Sequence, residues 1–280
     1  MIKEYIKSRK KIYNILKPQV DVARQIEYTV RGFFSKIVTC NPNFKELRTY
    51  RNCATGKRCF VVANGPSLTI EDLEKIKYEE CIGMNRIATV FDKTEWRPMC
   101  YCVIDEDIID SAIDIIGDDE LIFTTRSARN KSKIINKKKY IYVDDLYLDT
   151  HKVRTDMMSW WSMAPTVTIF AIELAMFMGY KEIILLGVDN TFSVKKNDHF
   201  DENYDKNDDY KKTYTSLEER IIERGMTFEE YDVHFKNMLD EFYNKVNVYA
   251  KGKGIKIKNA TRGGRLEVFE RVDLDEILKK

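Results

Sequence analysis

Residues 64–67 read Asn-Gly-Pro-Ser, between the apolar, β-branched run Cys59–Ala63 and a segment opening with Thr69, Glu71 and Asp72. The run has the composition of a buried strand, and a threonine followed by acidic residues is a helix start. A glycine turn between strand and helix converges backbone N–H groups on one point, where the helix dipole favours an anion such as phosphate. The same four residues also describe a plain tight turn. General acid–base chemistry has few carriers, since the chain has three histidines, His151, His199 and His234. His199 lies in Asp198-His199-Phe200-Asp201 and His234 in Tyr231-Asp-Val-His234-Phe. Each can titrate near neutral pH and act as a base, or simply pack or meet solvent. Asp105-Glu106-Asp107 has the spacing of a carboxylate pair that holds magnesium or manganese on a diphosphate, although Asp107 also suits a helix cap. Arg262 and Arg265, flanking Gly263-Gly264, can clamp a phosphate or flank a surface turn. Trp160 and Trp161 can stack a sugar or a base, or pack.

These residues need a frame. Cys59–Ala63, Cys81–Met84, Met99–Ile104, Leu121–Thr124, Tyr140–Val143, Glu182–Val188 and Ile255–Ile257 are short apolar runs without polar alternation. Between them lie helical patterns, the strongest at 165–178, with Pro165 at its first position and Gly179 as its stop. Further helices are expected over 214–223, over 228–250 and from Asp273. Apolar strands separated by helices predict an α/β fold, a doubly wound, mostly parallel Rossmann-like sheet covered on both faces. Ligands of such sheets sit beyond the carboxyl ends of the strands, which singles out Asn64, Ser67, Asn85, Asp105, Asp189, Asn190 and Thr191. Residues 189–213, long and polar, read as a lid-like loop.

Residues 1–36 carry nine basic residues against three acidic ones and read as a basic helical arm, packed on the domain or touching an anionic membrane. Residues 40–57 read as a linker, so the division is an arm and linker over 1–57 and a catalytic domain over 58–280. Hydrophobic content of 44% and a net charge of +2 describe a soluble protein with no call for a nucleic-acid partner. Six cysteines without a C-x-x-C pair, no signal peptide and no apolar run of about 18 residues place the expectation in the cytoplasm, at the inner face of the cell membrane.

The stretches Phe60–Leu68, Gly83-Met-Asn85-Arg86, Gly179–Asp189 and Ile257-Lys-Asn259-Ala-Thr261 together resemble the MptE-like domain, over about residues 58–270. That superfamily includes archaeal 6-hydroxymethylpterin diphosphokinases, flagellin-glycosylation accessory proteins and proteins of surface-polysaccharide clusters. The same stretches are similar to bacterial family-42 sialyltransferases, which use a CMP-sugar on a Rossmann-like fold. By motif match the resemblance implies a nucleotide site at Asn64, Gly65, Pro66, Ser67 and Asn85, extended by Asp105, Thr166, Gly187, Asp189 and Asn190. Asp105 stands where the transferases have Asn, Ala164-Pro165-Thr166 matches their Thr-Ser-Gly loosely, and Asn190 and Phe192 replace two tyrosines, which argues against sialic acid as the donor. The family's histidine base, before the last long helix, points to His234, whereas position in the loop favours His199. The expected activity is an inverting glycosyltransferase of surface-glycan synthesis. It would take a nucleotide-sugar donor and a glycan or lipid-linked acceptor, need no cofactor, and associate as a homo-oligomer. Two other readings follow from the same resemblance. One is an ATP- and Mg2+-dependent diphosphokinase with Asp105, Asp107 and Asp189 as metal ligands; the other is a non-catalytic glycosylation accessory protein.

Overall fold

The computed structural model describes residues 42–146, 153, 157–158, 161–162, 166–191, 199–201, 204, 221–222 and 224–279. The basic arm at 1–36, His151, Trp160, Pro165, Phe192 and most of the 189–213 loop lie outside the described residues, as does most of the helix expected at 214–223.

Five strands follow one another first: β1 (Arg58–Val62), β2 (Cys81–Met84), β3 (Cys100–Cys102), β4 (Leu121–Thr125) and β5 (Lys139–Val143). β6 (Asp145–Leu146) and β7 (Trp161–Ser162) pair separately, and β8 (Glu182–Leu186), β9 (Lys256–Asn259) and β10 (Glu270–Arg271) complete the main sheet. Its order is β10-β9-β8-β1-β2-β3-β4-β5, with every neighbour parallel. β1 to β4 are buried almost throughout, which is why they carry apolar runs rather than alternation. The helices are α1 (Pro42–Thr49), α2 (Ile70–Lys75), α3 (Ile109–Ile113), α4 (Arg126–Lys131), α5 (Val167–Met178), α6 (Phe228–Gly252) and α7 (Leu274–Leu278). One apolar cluster packs α5, α6 and Leu47 of α1 on one face of the sheet. A second joins the other face to α2, α3 and α7.

Three expectations are corrected. The helix expected from Pro165 begins at Val167, because Thr166 is extended and its side chain caps the N–H of Ile169. Asp107 caps no helix: α3 starts two residues later, at Ile109, and its cap residue is Ile108, which makes no side-chain cap bond. Residues 42–57, expected as linker, belong to the packed domain, with Leu47 and Ala54 buried. The N–H groups of Asn52 and Ala54 there donate to the carbonyls of Phe177 and Met178 at the end of α5. Asn43 of α1 treats the edge strand as a neighbouring strand would: its Oδ1 accepts the N–H of Tyr142 at 2.9 Å, and its Nδ2 donates to the Tyr142 carbonyl. That covers an edge otherwise open to foreign pairing.

The chain therefore runs outward from β1 to β5, then returns to place β8 on the other side of β1. The crevice between the carboxyl ends of β1 and β8 is the topological switch point, the place where open parallel sheets receive ligands.

Candidate functional site

At the switch point the two strand ends are held by backbone. Ala63 donates to the Leu186 carbonyl and Gly65 to that of Gly187, both at 2.9 Å. The chain leaving β8 then turns Asp189 back onto the Asn-Gly-Pro-Ser turn, where its Oδ2 accepts the Ser67 hydroxyl at 2.8 Å and the Ser67 N–H at 3.2 Å. The glycines make room for this. A Cβ on Gly65 would lie 2.0 Å from Asp189 Oδ2, and one on Gly264 would lie 2.7 Å from the Asp189 carbonyl oxygen. Asp189 is 6% exposed. Burial pushes its carboxyl above the usual carboxylate range, against the hydrogen bonds from Ser67 that hold it down.

This corrects the phosphate reading of the turn. The Ser67 N–H and hydroxyl that were to meet a phosphate meet a carboxylate of the same chain. The start of α2 is equally occupied: Thr69 and Asp72 form a reciprocal capping box. Arg262 adds a guanidinium to the buried Asp72, at 2.7 Å from Oδ1, and reaches the Ser67 carbonyl at 3.2 Å. The proposed arginine clamp is therefore turned inward. Arg262 grips Asp72, and Arg265 pairs through both terminal nitrogens with Asp232 near the start of α6. Arg265 also anchors the end of β8, donating from its backbone to the Asp189 carbonyl at 2.7 Å and from Nε to that of Asn190 at 3.3 Å.

Side-chain amides stand at three of the strand ends. Asn64, 6% exposed, donates its Nδ2 to the Met84 carbonyl at 3.0 Å, while its Oδ1 has no partner among the described residues. Asn85 Oδ1 and Asn190 Nδ2 are likewise buried without partners among the described residues. Asn85 and Asn190 hold φ angles of 48° and 55°, a conformation that asparagine adopts more readily than most residues. An unpaired buried amide atom costs about 1–3 kcal/mol, so three of them at the ends of β1, β2 and β8 make these positions candidates for contact with a polar ligand.

Part of the loop after β8 returns over this crevice. The Phe200 N–H donates to the Asn64 carbonyl at 3.0 Å, which sets His199 beside the turn, its ring stacked on Tyr204 with centroids 3.7 Å apart. Buried Arg86, just past β2, holds this strap from below, donating to the carbonyls of Tyr204 at 2.9 Å and Ser111 at 2.6 Å. Lys93 pairs with the buried Asp201. The structure thus joins His199, Asn64, Gly65, Ser67, Asn85, Gly187, Asp189 and Asn190 into one locale. Pro66 is exposed at its rim, and Gly187, at φ 70°, lets the chain pass Ala63 closely.

Other candidates stand apart. His234 is exposed on α6, two residues beyond Asp232, which pairs with Arg265. Thr166 serves as a helix cap. Asp105 accepts the Asp107 N–H at 2.9 Å, a local turn. It follows β3, two strand steps from the turn after β1 on which the Asp189 carboxylate rests, a separation of roughly 10 Å at the usual strand spacing. Among the described residues no group of three or more His, Cys, Asp or Glu side chains converges as a metal site. A cavity of about 310 Å³ lined by Asn52, Thr55, Gly179, Lys181, Tyr249 and Lys253 lies at the opposite, amino-terminal end of the strands, away from this chemistry. Sequence reasoning missed Arg86, Lys93 and the inward pairing of both arginines. Gly263-Gly264 was the one visible sign of close packing there.

The sequence over residues 33–195 matches the family described as 6-hydroxymethylpterin diphosphokinase MptE-like. Comparison with curated proteins gives no match. Among solved structures, the chain is similar to the MAf glycosyltransferase from Magnetospirillum magneticum AMB-1, at 15% identity and a TM-score of 0.48, over 80% of this chain and 35% of that one. The chain thus spans about a third of that protein's length.

Proposed function

The chain belongs to the 6-hydroxymethylpterin diphosphokinase MptE-like family, and on that premise we propose that it is a glycosyltransferase of bacterial surface-glycan synthesis. It takes a nucleotide-activated sugar, a CMP-sugar in the first instance, across the carboxyl ends of β1, β2 and β8. The observation that carries this reading is the set of buried amide atoms of Asn64, Asn85 and Asn190 that have no partner among the described residues, at neighbouring strand ends with His199 beside the Asn64 turn. His199 is the base: it accepts the proton of the acceptor hydroxyl as that oxygen attacks the anomeric carbon. The bond from that carbon to the phosphate oxygen breaks, and the configuration inverts. No metal is required for this step in the proposed reading, and the acceptor is a glycan or a lipid-linked sugar. The basic arm at 1–36 brings the protein to the inner face of the membrane. Among the described residues no helix is long and apolar enough to cross one.

The second reading, an ATP- and Mg2+-dependent diphosphokinase, is favoured by the family's own description. It asks Asp105, Asp107 and Asp189 to share magnesium. Against it, Asp105 follows β3, while the Asp189 carboxylate rests on the turn after β1, two strands away, where it accepts from Ser67. Thermal-shift titration with CMP, UDP, GDP and ATP, each with and without Mg2+, separates the two. Metal-independent stabilisation by CMP or its sugar conjugate is expected. A response to ATP with Mg2+ alone would sink the transferase reading. Within it, His199→Ala should cut turnover at least a hundredfold while leaving nucleotide binding close to wild type, and His234→Ala should leave both close to wild type.

A further inference from the structure

The cavity at the amino-terminal end of the strands takes no part in the proposed reaction. It holds about 310 Å³ and lies where three segments meet: the turn before β1, the end of α5 with Lys181 just beyond it, and the end of α6 with Lys253. The turn lies close against the end of α5, since a Cβ on Gly179 would sit 3.0 Å from Thr55 Oγ1. Each helix that finishes here brings about half a negative charge, but the carbonyls that carry it are occupied. Those of Phe177, Met178 and Gly179 accept from the N–H groups of Asn52, Ala54 and Gly56, at 3.0, 2.9 and 3.3 Å. On α6 the Ala250 and Lys251 carbonyls accept from Ile255 and Gly254 at 2.9 and 3.1 Å. The Lys253 carbonyl accepts Nζ of Lys181 at 3.1 Å.

Two full positive charges, on Lys181 and Lys253, therefore outweigh two half charges whose oxygens are already taken. No aspartate or glutamate lines the cavity among the described residues, and neither lysine forms an ion pair there. Basic residues around the same strand starts behave otherwise: Lys57 pairs with Glu80, Arg58 with Glu79 and Lys258 with Glu182. No arginine lines the cavity either, so the flat two-pronged grip that suits a carboxylate is missing. Ammonium groups act as point charges, which suits a tetrahedral dianion. We propose that this cavity is a second binding site, for a phosphate group, which sits between the ammonium groups of Lys181 and Lys253. It lies at the opposite end of the strands from the crevice and fills independently of any nucleotide there, so the inference goes beyond the transferase reading. The phosphate belongs either to a free small molecule or to a lipid headgroup.

The test has two arms, both on the full chain: calorimetric titration with inorganic phosphate at constant ionic strength, and sedimentation with phosphatidylcholine vesicles with and without phosphatidic acid. A free phosphate compound as the source gives saturable binding in the first arm and no sedimentation in the second. A lipid source gives sedimentation only with phosphatidic acid. In either case Lys253→Met should weaken binding at least about tenfold, the usual loss of a hydrogen bond to a charged group. Lys181→Met should do the same, although it also gives up the bond to the Lys253 carbonyl, which makes Lys253→Met the cleaner variant. Lys251→Met removes one charge from the exposed last turn of α6, outside the cavity lining, and should leave binding unchanged, as should saturating CMP. Absence of binding in both arms overturns the site. So does binding that a folded Lys253→Met retains in full, or that Lys251→Met weakens equally, which would mark diffuse surface charge. Neither lysine belongs to the proposed transferase chemistry, so these outcomes leave that reading where it stands.

Discussion

Gly65→Ala distinguishes a glycine that admits phosphate from one that admits Asp189. The added Cβ would sit 2.0 Å from Asp189 Oδ2, 2.9 Å from its Cγ and 2.5 Å from the Gly187 carbonyl oxygen. Ordinary contact begins near 3.4 Å, so the carboxylate oxygen must retreat by about 1.4 Å and the end of β8 by about 0.9 Å. The first movement breaks both hydrogen bonds from Ser67, and the second strains the Gly65–Gly187 backbone bond. Overpacking of this kind costs about 1–3 kcal/mol, and losing hydrogen bonds to a charged acceptor adds to it, for a total of about 3 kcal/mol. In a domain of this size that lowers Tm by roughly 6–12 °C. Asp189→Ala removes two of the three close contacts in advance. Chemical denaturation of the two single variants and the double variant should therefore show a coupling of at least about 1 kcal/mol, the pair costing less than the sum. A Gly65→Ala protein with wild-type stability, or effects that add within about 0.5 kcal/mol, would refute the assignment of Gly65 to Asp189.

Three shorter predictions follow from other contacts. Asp189 has its carboxyl raised in the folded state by burial, so the folded protein holds its proton more tightly than the unfolded one. Stability on its account is greatest in acid and falls as pH rises from the ordinary carboxylate range through the raised value. Asp189→Asn, which can still accept from Ser67, should flatten that part of a pH–stability curve, and an unchanged slope counts against it. Asp232 has the opposite sign: the hydrogen bond from Arg265 lowers its carboxyl. Its stabilisation is present at neutral pH and is lost as pH falls through the lowered value. Arg265→Met should then cost about 1 kcal/mol at pH 7, the partly exposed setting limiting the loss, and the gap from wild type should close in acid. Asn43→Ala removes both bonds to the Tyr142 backbone and should lower stability by about 1–2 kcal/mol, with faster amide exchange along β5.

The frame was legible because it depends on local composition. Cys81–Met84 and Glu182–Leu186 are apolar without alternation, and that alone marks strands buried on both faces. Gly179 was readable as a helix stop and adopts φ 94°. The site was legible only as a set of positions. Asn64, Asn85 and Asp189 fall at strand ends in any parallel sheet, but sequence carries no sign that Asp189 would fold back onto Ser67. That contact depends on which strand returns beside β1. The two arginines failed for a related reason. Their carboxylate partners, Asp72 and Asp232, are remote along the chain, and a guanidinium reads as available until the fold brings it a partner. The linker expected at 40–57 was misread because its polar residues hide the long-range backbone bonds of Asn52 and Ala54 to Phe177 and Met178.

Ser127 and Asp145 repeat the contact of Ser67 and Asp189: at the end of β4, Ser127 donates its N–H at 3.0 Å and its hydroxyl to a carboxylate just past β5. The two clasps differ in span. The one at β4 closes over 18 residues, and the one at the candidate site over 122. Short closures form early and long ones wait for the intervening chain to order. A nascent chain carrying β1 to β5 can pair five strands with its crevice still unbuilt. The turn at Ser67 acquires its carboxylate only when β8 arrives, and its outer wall only when Gly264 and Arg265 have been synthesised. Assembly of the candidate crevice thus becomes a late checkpoint on the folding route, reached after most of the sheet exists.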